Sequence, residues 1–336
     1  MGRRAGKRSL FDERAHALKR AEERPPAMRR VSRGTVLLSV LLVLVCGCRG
    51  TPSGAPAGRR STVGVSLLTQ TQDFYKDLEE GLREEAAARG LDLIVTSGEM
   101  DPARQASQIE DFVAQRVAAI LVAPCDSSAI GTSLQEPERA RIPVFTADIA
   151  ARAGRVVSHV ASDNLQGGRL AARALARFIG DRGKVLIIDH SVVASVQDRV
   201  RGFEDEMKAH PAITIVGRPS GDGQRAKAMA VMEDMLQAHR DLAGVFGIND
   251  DSALGALAVL VAAGRKDIVV VGYDATPEAR RAISGGSPLK ADVIQDPKKI
   301  GRTAIEMVAR HLAGQPVPPV VNVEVGLVDR SSLTPR

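Results

Sequence analysis

Tryptophan is absent from the 336-residue sequence, tyrosine occurs twice and cysteine three times. So few cysteines in so long a chain exclude a disulfide-stapled scaffold. No G-x-G-x-x-G follows an apolar run, and there is no G-x-x-x-x-G-K-[ST] loop, so dinucleotide and nucleotide-phosphate signatures are missing. A G-x-S-x-G nucleophile turn is missing too. The six histidines (His16, His159, His190, His210, His239, His311) are scattered, with no H-E-x-x-H and no Cys/His pairing at metal spacing. Nothing joins a nucleophile to a base, so the sequence predicts neither an enzyme nor a cofactor or metal site.

What is present is globular: 44% apolar and 26% charged residues, which excludes disorder and collagen-like repeats. The length suits about two domains. A net charge of +6 first suggests a nucleic-acid partner. Its distribution argues otherwise. Residues 1–47 hold eleven basic and four acidic residues, leaving 35 basic and 36 acidic residues, or −1, for the rest. The body is near neutral, and no nucleic-acid partner is expected.

Residues 1–47 read as a basic leader and signal peptide. Arg29, Arg30 and Arg33 precede an apolar run from Thr35 to Val45, shorter than the ~20 residues of a membrane span. Arg-rich residues 1–27 ahead of a signal read as an over-extended start, with Met28 the initiator. The run ends in Val45-Cys46-Gly47-Cys48, which resembles a bacterial lipobox with Cys48 as the lipidated residue. The alternatives are cleavage elsewhere or an uncleaved anchor. Residues 48–60, rich in Gly, Pro, Ser and Ala, form a flexible tether. Only Cys125 then remains as a thiol in the body.

From residue 62 onward ten short β-branched or aliphatic runs alternate with eight amphipathic stretches, one of them spanning Ser127–Arg141. Apolar strands separated by helices predict parallel sheets covered on both faces. Ten strands divide better into two sheets of about five than into one. The fold class is therefore α/β, with two doubly wound lobes. Ligands of such sheets bind beyond the carboxyl ends of strands. The residues there are polar and acid-leaning: Gln72, Asp73, Phe74, Tyr75; Asp148; Asp189, His190; Asn249; Asp274; Gln295. They suit a neutral polyhydroxylated ligand.

Five ordered segments carry a resemblance: Val157–Gly168 (VSHVASDNLQGG), Arg199–Phe203 (RVRGF), Val245–Leu257, Val269–Glu278 and Ala291–Gly301 (ADVIQDPKKIG). Across Thr62–Leu327 the chain resembles the ribose-type periplasmic sugar-binding proteins, relatives of the lac repressor ligand domain. The resemblance implies a type I periplasmic binding protein with a three-segment hinge. It assigns 61–162 with 296–324 to an N-terminal lobe, and 163–295 with 325–336 to a C-terminal lobe. It implies a monomeric, lipid-anchored periplasmic protein that captures a sugar or polyol and delivers it to an ABC permease. A sensing module for a chemoreceptor or histidine kinase is the alternative.

The resemblance also implies ligand roles, residue by residue. Phe74 and Tyr75 pack on sugar faces, Gln72 supplies an amide, and Asp148 accepts hydroxyl protons. Arg199 donates through its fork, and Asn249, Asp274 and Gln295 complete an amide–acid–amide set. Each has a plainer reading. Asp148 and Asp274 could close strands, Asn249 could cap the helix from Asp250, and Arg199 could be a surface charge. Phe74 and Tyr75 could be core, and Gln295 a hinge residue. Departures from the pattern are Leu68, Ala123 and Ile149, where polar residues are expected, and Gly223, near an expected aromatic. They point away from ribose itself.

Overall fold

The structure is a computed structural model that describes residues 60–333. The leader, Cys48 and nearly all of the tether lie outside the described residues. Twelve strands are formed: β1 Thr62–Leu67, β2 Asp92–Ser97, β3 Ala119–Val122, β4 Val144–Ala147, β5 Ser158–Ser162, β6 Gly183–Ile188, β7 Ile213–Gly217, β8 Leu242–Gly247, β9 Val269–Asp274, β10 Leu289–Ile294, β11 Val320–Val323 and β12 Gly326–Asp329. The helices are α1 Asp73–Ala88, α2 Pro102–Ala114, α3 Ile130–Ser133, α4 Gln135–Arg139, α5 Asn164–Phe178, α6 Ala194–Met207, α7 Arg225–Ala238, α8 Asp250–Ala262, α9 Pro277–Ser284, α10 Pro297–Leu312 and α11 Arg330–Leu333.

The strands form two six-stranded sheets of the same winding, β11-β5-β4-β3-β1-β2 and β12-β10-β9-β8-β6-β7. All pairings are parallel except β12 on β10. Two α/β lobes result, each doubly wound. The chain passes between the sheets three times, around Asp163, around residues 295–296, and at residues 324–325. Period-2 alternation assigns the strand faces. Val185 and Ile187 of β6 join a core shared by both lobes, whereas Leu186 and Ile188 join one that covers the opposite face. In β3, Ala119 and Leu121 turn to the shared core and Ile120 and Val122 to the outer one.

Two differences from the sequence expectation have local causes. The single helix expected over 127–141 is broken at Leu134 into α3 and α4. Pro137 has no N–H to continue the first helix. Strands β11 and β12 raise each sheet from five strands to six; both are four-residue edge strands whose side chains are largely exposed or half-buried. Among the described residues no helix is long and apolar enough to cross a membrane.

Helix pairs approach closely through glycine. A Cβ on Gly168 of α5 would lie 1.9 Å from the Arg199 carbonyl oxygen of α6, and one on Gly202 of α6 would lie 2.1 Å from the Leu165 carbonyl oxygen of α5. This reciprocal contact fixes α6, and with it Arg199, against α5.

Candidate ligand-binding site

The polar strand-end residues converge between the lobes. Asp148 follows β4 in a γ-turn closed by Ile149 N–H donating to the Ala147 carbonyl at 2.7 Å, with φ of 64° at Asp148. Asp274 ends β9 with φ of 121°. Positive φ at non-glycine residues is strained. Here that strain lies at the two acids of the site.

All eight residues expected at the site line one pocket between the lobes. Gln72, Phe74, Tyr75 and Asp148 come from the first lobe; Arg199, Asn249 and Asp274 come from the second, and Gln295 from the crossing after β10. Tyr75 donates to Asp148 Oδ2 at 2.7 Å, and its ring meets Phe74 edge-on at 5.2 Å. Asp148 Oδ1 is buried with no hydrogen-bond partner, and so is Gln295 Oε1. Burial raises the Asp148 carboxyl above its usual range, while Arg199 and the Tyr75 hydroxyl pull it back. Burial, then the Asp148 charge, pushes the Tyr75 phenol up, so it remains a donor.

Arg199 is only 4% exposed, which rules out a surface charge. Its Nε donates to Asn164 Oδ1 at 2.8 Å, its Nη1 donates to the Ile248 carbonyl at 2.8 Å, and its guanidinium lies 3.9 Å from the Tyr273 ring centroid. Both tyrosines of the chain thus serve the site. Asn249 lines the pocket, and its Oδ1 caps α8 by accepting from Ser252 N–H at 3.0 Å. Gln72 and Asn249 both donate to the Gly223 carbonyl, at 2.9 and 3.1 Å. Gly223 has φ of 64°, and a Cβ there would lie 3.2 Å from His190 Nδ1.

His190 also lines the pocket, as do Leu68, Ile149, Val193, Ser195, Val196 and Ile248. Burial lowers the His190 pKa and keeps the imidazole neutral. Its place just after β6 was the signal that could have added it to the set. The valines of α6 gave none, because in sequence they look like ordinary core. Ala123, by contrast, is buried under the sheet end, where its carbonyl accepts from Gln105 at 3.0 Å.

Behind Asp274 lies a stack of buried acid. Gln295 Nε2 donates to Asp274 Oδ1 at 2.7 Å, and Asp250 N–H donates to Oδ2 at 3.3 Å. Asp250 Oδ2 accepts from Thr276 N–H at 2.7 Å, and Asp292 Oδ1 accepts from Ala275 N–H at 3.0 Å. Asp250 Oδ1 and Asp292 Oδ2 are buried with no hydrogen-bond partner. Burial and then mutual charge hold Asp274 and Asp292 well above the carboxylate range. The trio holds the strained β9–α9 turn.

The lobes are closed on each other. Ser127, fully buried, donates its N–H to the Val192 carbonyl at 3.1 Å and accepts from Ala194 N–H at 2.8 Å through its hydroxyl. Arg152 reaches Gln197 at 2.8 Å and Asp198 at 3.8 Å across the same mouth.

Residues 63–316 match the family described as periplasmic binding protein domain. The chain belongs to that family. It is 34% identical over 275 residues to the ribose import binding protein of Salmonella typhimurium strain LT2, covering 82% of this chain and 92% of that one. Its similarity to the ribose import binding protein of Bacillus subtilis strain 168 is also 34%, covering 87% and 97%. Among solved structures, a solute-binding protein of an ABC transporter from Mycobacterium smegmatis with bound glycerol superposes with a TM-score of 0.78 at 36% identity, covering 82% and 96%. Another, from Agrobacterium vitis with bound α-D-tagatopyranose, gives 0.78 at 30% identity, covering 82% and 96%. As a member of this family the chain is a binding protein of the periplasmic type, not an enzyme.

Proposed function

We propose that this protein is an extracytoplasmic solute-binding protein that traps a sugar or related polyol between its lobes and presents the closed form to an ABC import permease. The observation that carries the reading is the pair of buried acceptors without donors, Asp148 Oδ1 and Gln295 Oε1, facing one pocket beside Arg199. Buried acceptors are costly until a donor reaches them, and neighbouring hydroxyls are such donors. Phe74 and Tyr75 offer apolar ring surface for the C–H faces of a sugar. The relatives' printed ligands, ribose import substrates and tagatopyranose among them, belong to the same chemical class. The mature protein is held to the membrane by lipid on Cys48; incorporation of a palmitate analogue that is lost in Cys48→Ser tests this.

The decisive experiment is a thermal-shift screen of the purified protein against pentoses, hexoses, inositols and linear polyols. A ligand at 100 times its Kd should stabilise by about 2.7 kcal/mol. Asp148→Asn should cut the affinity of any hit ~10-fold or more. If no sugar or polyol moves the melting point, the reading fails.

A further inference from the structure

The polar and apolar surfaces of the pocket are unequal partners. On the polar side much of the hydrogen-bonding capacity is already spent inside the protein. The Gln72 and Asn249 amides hold Gly223, Asp274 is met by Gln295 and Asp250, and two Arg199 nitrogens are engaged. The fully buried acceptors of the lining left without donors are Asp148 Oδ1 and Gln295 Oε1, and the His190 and Ser195 side chains complete its polar part. The same lining includes Leu68 and Ile149 of the first lobe and Val193, Val196 and Ile248 of the second. All five are at most 5% exposed, and all belong to one apolar cluster that spans both lobes.

We infer that the pocket selects an incompletely hydroxylated ligand, a deoxy sugar or short deoxy polyol, whose hydroxyl-bearing edge meets Asp148 and Gln295 and whose methyl or methylene edge meets the Leu68–Ile149–Val193–Val196–Ile248 wall. This rests on the sugar or polyol reading above and sharpens it. A hydroxyl carried against those five side chains leaves water and finds no acceptor on them, whereas a methyl there gains apolar contact. Closure itself presses the two halves of the wall together, so the penalty on a misplaced hydroxyl falls on the closed state.

The test compares matched pairs by calorimetry on the purified protein: galactose with 6-deoxygalactose, mannose with 6-deoxymannose, ribose with 5-deoxyribose, and glycerol with 1,2-propanediol. The deoxy member of at least one pair should bind at least 10-fold more tightly than its parent. In Val196→Thr, which keeps the side-chain shape but places a hydroxyl in the wall, that preference should shrink several-fold. Ile149→Ser should do the same. Parents that bind as tightly as or more tightly than their deoxy partners in every pair overturn the inference while leaving the sugar reading intact. An unchanged preference in both variants also overturns it. If neither member of any pair binds while the thermal-shift screen finds another sugar or polyol, this inference falls alone; if that screen is also blank, the sugar or polyol reading falls with it.

Discussion

At the residue scale the site is a set of buried carboxyls whose ionisation is resisted by the fold. Asp148, Asp250, Asp274 and Asp292 all have pKa values raised above the ordinary 3.8, burial being the first cause in each. A raised carboxyl favours the folded state fully below the ordinary value, and that contribution is lost as pH rises through the folded value. His159 and His190 slope the opposite way: burial lowers both, His159 to about 4. Their contribution is lost as pH falls below the ordinary 6.5. The acid contribution is isolated by Asp292→Asn, which removes one buried titrating carboxyl while keeping its shape. Relative to the parent protein, this variant should gain in melting temperature between pH 5 and pH 8, measured without ligand. A difference that stays constant with pH would count against a raised Asp292 carboxyl. Arg199 shows what the sequence could and could not disclose at this scale. Its place in RVRGF marked it as a ligand candidate, but its hold on Asn164 and its seat on Tyr273 join residues far apart in the chain.

At the scale of elements, the pocket depends on how α6 is set against α5. The Gly168 and Gly202 contacts leave no room for a methyl group, so Gly168→Ala forces the Arg199 backbone outward. Overpacking of this kind costs roughly 1–3 kcal/mol. The expected result is a melting temperature several degrees lower together with weaker ligand binding, read by calorimetry on the folded fraction. Intact affinity would mean that Arg199 does not depend on this seat. The strands were legible because continuous apolar runs between amphipathic stretches have few other readings. The edge strands β11 and β12 were not, since a four-residue edge strand carries too little burial to leave a pattern. Helix α9 escaped because it is eight residues long and rich in arginine. The polar half of the site was legible because strand ends collect function in this architecture. The apolar half was not, because Val193, Val196 and Ile248 resemble core until both lobes are brought together.

At the scale of the whole molecule, binding and closure are one event. Ser127 accepts the Ala194 N–H only when the lobes meet. Ser127→Ala leaves that N–H without a partner in the closed form, a cost of about 1–3 kcal/mol. Ligand dissociation measured by stopped flow should accelerate about 5- to 100-fold, with little change in the melting temperature of the free protein. An unchanged dissociation rate would show that closure does not rely on this contact.

The three crossings between the sheets carry a consequence for how the chain acquires its shape. Strand β11 pairs with β5, Val320 beside His159, and the antiparallel edge β12 follows at residues 326–329. Helix α10, between them and the rest, packs beside α1 and under β4 and β5. Neither sheet is complete until β11 and β12, residues 320–329, have been made, and each lobe waits on segments synthesised long after its first strand. Such non-local pairing slows folding. The emerging polypeptide therefore carries two unfinished lobes until residues 320–329 have left the ribosome, and those two short strands time its folding.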